Sequence, residues 1–134
     1  MGPNDMIRTV LFALVVGLAG CAAVQNISAS DIRNPEHLRA EKEFPLTIAQ
    51  ISQALYEHRS KCSDAGQVVQ NPGNANEGLI TIEIPGLSKG SVALLVDLRQ
   101  SGNSTNAKAY TYYSTWKGQV GNLFKAIETP GKCD

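Results

Sequence analysis

Leu79-Ile80-Thr81-Ile82-Glu83-Ile84, followed after the loop Pro85-Gly86-Leu87-Ser88-Lys89-Gly90 by Val92-Ala93-Leu94-Leu95-Val96-Asp97-Leu98, decides the fold class. Ile80, Ile82 and Ile84 alternate with Leu79, Thr81 and Glu83, and Val92, Leu94, Val96 and Leu98 alternate with Ala93, Leu95 and Asp97. A period of two marks strands with one face turned to a core, and a short connection makes neighbouring strands antiparallel. A third strand is expected from about Asn106 to Ser114, after the turn signal Ser101-Gly102-Asn103-Ser104. Gln67-Val68-Val69-Gln70 fits a short edge strand, cut off by the Gly- and Asn-rich loop from Asn71 to Gly78.

Working outward, two helices flank these strands. Thr47-x-x-Gln50 forms a capping box, with Leu46 and Ile51 placed as a hydrophobic staple. Ile48, Ile51 and Leu55 continue one apolar stripe, and the helix is expected to end near Lys61. At the other end, Trp116, Val120, Leu123, Phe124 and Ile127 recur at helical spacing before Pro130-Gly131 stops them. Gly118 and Gly121 weaken that helix by about 1 kcal/mol each, so close packing on the sheet is expected to explain them. The expected architecture is α+β: a three- or four-stranded antiparallel sheet, with an N-terminal and a C-terminal helix packed on one face.

The chain has 134 residues, room for one domain with one core. Twelve basic and twelve acidic side chains cancel, and there is no run of like charges, which argues against a nucleic-acid partner. Ahead of the first helix the sequence is polar. From Ala22 to Arg33 it shows no sustained periodicity and reads as a tether, with an end-to-end distance of about 20 Å. Asn34-Pro35-Glu36 looks like a helix start, and any helix through Lys42 would be short and highly charged.

The one long apolar run is Val10 to Ala19. As a helix it spans about 15 Å, half the hydrocarbon core of a bilayer. With Arg8 before it, the run fits the apolar region of a secretory signal, and a start at Met6 would give a compact leader. It ends in Leu18-Ala19-Gly20-Cys21, which resembles the lipobox of bacterial lipoproteins over the first 21 residues. The resemblance implies removal of residues 1–20, diacylglycerol on the Cys21 thiol, and stable membrane anchoring by several acyl chains. Ala22 in place of an aspartate implies outer-membrane sorting with the domain on the periplasmic face. On this reading residues 21–43 are the lipidated N-terminus and tether, and 44–134 form one periplasmic domain.

Export implies an oxidising compartment, where Cys62 and Cys133 can form one disulfide. It would close about 70 residues, for which chain entropy assigns about 4 kcal/mol. Metal binding is the alternative, although two isolated cysteines without neighbouring histidines make a poor zinc site. There is no C-x-x-C redox motif.

Candidate chemistry is sparse. Gly86-Leu87-Ser88-Lys89-Gly90 fits G-x-S-x-G, yet a strand follows where the nucleophile elbow requires a helix, so a hairpin turn is expected. The only histidines are His37, in the tether region, and His58, expected at the surface near a helix C-terminus. Tyr110 and Tyr112 share a strand face with Lys108, a set suited to a sugar, a peptide or a protein partner. Core packing explains the same tyrosines if they register with Val92 and Leu94. The opposite face would then hold Ala93, Leu95, Ala107 and Ala109. No cofactor is implied. The expected function is that of a non-enzymatic, lipid-anchored envelope module that binds another envelope protein or peptidoglycan. A small-ligand or lipid carrier and, behind it, a hydrolase are the alternatives.

Overall fold

The computed structural model describes residues 27–62, 65–84 and 90–133. The leader, Cys21 and Ser88 lie outside the described residues. Among the described residues five strands form one antiparallel sheet: β1 Leu38–Phe44, β2 Gln67–Gln70, β3 Glu77–Glu83, β4 Val92–Ser101 and β5 Ser104–Thr111, in the spatial order β1-β5-β4-β3-β2. The helices are α1 Ala29–Ile32, α2 Ile48–Lys61 and α3 Lys117–Glu128. The α+β class and the antiparallel sheet agree with the sequence reading, and the strand count is five instead of three or four.

Thr47 caps α2 as a full capping box: its hydroxyl accepts from the Gln50 amide at 3.2 Å, and the Gln50 side chain accepts from the Thr47 amide at 2.8 Å. Ile48, Ile51, Ala54 and Leu55 are buried on one side. Ile48, Ile51 and Leu55, with Val120, Leu123, Phe124 and Ile127 of α3, cover Ile80, Leu94, Val96, Leu98, Ala107 and Ala109 of the sheet. The two alanines therefore lie on the helix-covered face, where short side chains let helices approach the strands closely. Gly118 and Gly121 do not serve that purpose, since both are exposed and a Cβ at either would meet open space.

The extra strand is β1, in a segment expected to be tether or short helix. Its sequence Leu-Arg-Ala-Glu-Lys-Glu-Phe carries helix-favouring residues, and pairing with β5 overrides that preference. Phe44 is 1% exposed and meets Phe124 edge-to-face at 5.3 Å between centroids. Lys42 pairs with Glu128 of α3. Arg39 donates to the Thr111 hydroxyl at 2.9 Å and to the Thr111 carbonyl at 3.0 Å, joining the start of β1 to the end of β5. Charges on an outer strand also deter unwanted pairing.

The segment before β1 is also folded onto the domain. Ser28 caps α1, and Ile27 and Ile32 are buried against Val92 and Leu95 on the sheet face that α2 and α3 leave free. The Ile27 carbonyl accepts from the Val92 amide at 3.1 Å. This second cluster exists because the expected alternation in β4 breaks. Ile82 pairs with Leu94 but Glu83 pairs with Val92, so Ala93 is bulged out and Val92 joins the face of Leu95. A turn at Gly102, with φ of +61°, links β4 to β5 between the paired Ser101 and Ser104. Glycine at the first of two turn positions suits a type II′ hairpin.

Cys62 and Cys133 form a disulfide with 5.3 Å between Cα atoms, tying the end of α2 to the tail after α3. His58 is buried rather than on the surface, and its Nδ1 donates to the Pro130 carbonyl at 3.2 Å, a second link across the same seam. Among the described residues no helix is long and apolar enough to cross a membrane.

Candidate functional site: the helix-free face of the sheet

The strand registers order the side chains on the face opposite α2 and α3 into rows. One row runs Leu38, Tyr110, Leu95, Thr81, Gln67, and the next runs Glu41, Lys108, Asp97, Leu79, Val69. A third brings Glu43, Asn106, Arg99 and Glu77 side by side. Opposite charges thus face each other across strands, Glu41 and Asp97 flanking Lys108 and Glu77 flanking Arg99. Such pairs favour the sheet by a few tenths of a kcal/mol to about 1 kcal/mol.

These rows floor an open depression of about 870 Å³, lined among others by Arg33, Glu77, Asp97, Arg99, Lys108 and Tyr110. Arg33, just past α1, overhangs it and grips Asp97 with two bonds, Nε to Oδ2 at 2.9 Å and an Nη to Oδ1 at 2.8 Å. That bidentate bond holds the guanidinium even more firmly in its charged form. The result is a fixed planar group at one end of the depression, with Lys108 and Arg99 exposed beyond it. The surface can offer cationic donors, carboxylate acceptors, an amide and part of an aromatic ring to a polar ligand.

Of the three residues expected to bind, the structure brings together two. Lys108 and Tyr110 line the depression, Lys108 exposed and Tyr110 half-buried beside the cluster of Ile27, Ile32, Val92 and Leu95. Tyr110 pairs across strands with Leu95 instead of Val92 or Leu94. Tyr110 therefore both packs against that cluster and lines the depression. Tyr112 lies past the end of β5 and stacks on His37 at 4.8 Å between centroids, with Tyr113 edge-on at 5.1 Å. His37, Tyr112, Asp31 and Glu36 border a separate depression of about 580 Å³.

The Arg33–Asp97 pair was not foreseen. Its signal was Asp97, an acid inside the apolar run of β4, which a solvent-facing position explains only in part. Its partner lay in a segment read as tether. Among the described residues no group of three or more His, Cys, Asp or Glu is placed to hold a metal ion. Comparison with protein families, curated proteins and solved structures found no match.

Proposed function

We propose that this chain is a lipid-anchored cell-envelope module, joined to the outer membrane through Cys21, that binds an envelope protein or a peptidoglycan strand on the helix-free sheet face. The observation that carries the binding part is the depression over β3, β4 and β5, with the Arg33–Asp97 pair set beside exposed Lys108 and Arg99. Fixed, paired groups recognise a polar partner at lower ordering cost than free side chains do. Ile27 is buried only six positions after Cys21. At full extension that connection reaches about 20 Å. The anchor therefore keeps the domain close to the headgroups, a shorter leash than a tether through residue 43.

Crosslinking in intact envelopes, followed by recovery of the chain, tests this reading. An enriched protein or glycan is expected, and the charge reversals Lys108→Glu and Arg99→Glu together should reduce its yield by about tenfold, which corresponds to 1.4 kcal/mol. Recovery of the chain alone, or a yield indifferent to both reversals, would sink the binding assignment. Palmitate labelling that survives Cys21→Ala would sink the anchor.

A further inference from the structure

The two outer strands of the sheet differ in kind. β1 carries Arg39, Glu41, Lys42 and Glu43, the charged pattern that keeps an edge from pairing. β2 is Gln67-Val68-Val69-Gln70, without a single charge. Among the described residues the two most exposed large apolar side chains, Tyr56 and Val69, each 61% exposed, belong to α2 and to β2. Tyr56, Val68 and Gln70 line a groove of about 470 Å³ between α2 and β2.

The hydrogen-bond pattern shows what β2 offers on its free side. The Asn71 amide donates to the Glu77 carbonyl at 3.0 Å, so in that antiparallel ladder Val69 and Gln67 also bond inward, to Leu79 and Thr81. Alternation then turns the amides and carbonyls of Val68 and Gln70 outward. Just before them, the Gly66 carbonyl accepts from Arg59 at 3.0 Å, which closes the edge at that end.

We propose that β2 is a dimerisation strand, pairing antiparallel with β2 of a second copy of this chain about a two-fold axis through Val69. Continuity of the two sheets demands that paired residues face the same side, which leaves two close registers. Centring on Val68 would oppose Gln70 to Gly66, whose carbonyl Arg59 already occupies. Centring on Val69 pairs Val68 of each chain with Gln70 of the other and uses every outward amide and carbonyl, on the order of four backbone hydrogen bonds. It also covers Val69 with its own copy, in the closer, non-hydrogen-bonded type of pair. The absence of charge on β2 lets identical edges meet without repulsion, and the contact is isologous and closes at two copies. Val69 and Gln70 also line the depression of the helix-free face, so the pairing borders that surface, but its register rests on the β2 backbone alone.

An interface built on one short strand falls in the weak class, so the test traps it covalently. Gln67→p-benzoylphenylalanine in the full chain places a photocrosslinker on the open face, opposite Asn71 of the second copy. Irradiation should yield a dimer whose joined peptides contain residue 67 and the Asn71 segment. Val69→Lys added to the same chain should cut that yield at least tenfold by setting like charges on the axis, with an unchanged circular dichroism spectrum because Val69 is exposed. The proposal fails if no dimer forms or if the Asn71 segment is not the joined peptide. It fails equally if Val69→Lys leaves the yield intact, or if the photocrosslinker at Glu43 on β1 gives as much dimer.

Discussion

Asp31 sits in the first turn of α1, where its carboxylate accepts from the Ser28 hydroxyl at 2.6 Å and from the Ser28 amide at 3.2 Å. Those two bonds hold its carboxyl below the usual aspartate range, the hydroxyl contributing most. A carboxyl depressed by folding stabilises the native state above its unfolded pKa, and that contribution fades as pH falls through the lower, native value. Two-dimensional NMR titration is expected to show Asp31 titrating below an unstructured aspartate, and Ser28→Ala should bring it back up. The same substitution removes the cap of α1 and should cost about 1 kcal/mol in urea unfolding. This box was not legible from a segment whose polarity suggested a tether. Ser28-x-x-Asp31 has the spacing of a cap, but it lacks the apolar run that made Thr47-x-x-Gln50 readable.

At the scale of elements, local pattern was a good guide wherever one strand or helix buried one stripe. α2 ends at Lys61 and β2 occupies Gln67–Gln70, as expected. α3 follows its apolar stripe, with Trp116 in a short 3-10 turn just before it. Pattern failed where tertiary pairing outweighed local preference. The charged β1 is held by Phe44 and by β5, and the β4–β5 hairpin register sets Tyr110 opposite Leu95 instead of Leu94, the parity on which the tyrosine assignment depended. Ile27 and Ile32 decide between a tether and a folded element. Ile32 is fully buried, so Ile32→Ala should destabilise the domain by about 2–5 kcal/mol in denaturant titration. A free tether would show no change. The candidate site was legible through Lys108 and Tyr110, whose alternation survives. It was illegible through Arg33, whose place depends on where α1 packs.

For the whole molecule, the disulfide is a covalent long-range constraint, joining positions 71 apart. Replacing both Cys62 and Cys133 by serine should lower stability by about 4 kcal/mol if chain entropy governs. Thermal unfolding with and without reductant checks this: wild type should shift on reduction and the double variant should not. His58 limits the local damage, because its bond to Pro130 holds the same seam.

The placement of that crosslink also divides the chain mechanically. Everything from Ile27 to Cys62, which includes α1, β1 and α2, lies outside the covalent ring, and β2 to β5 with α3 lie within it. A pull on the two ends of the folded chain can release only the outer part, about 120 Å of contour instead of the roughly 370 Å of the unlinked polypeptide. Tension transmitted from a fixed N-terminus would therefore peel away the edge strand β1 and helix α2 first, and would reach the β2–β5 meander without being able to draw it out.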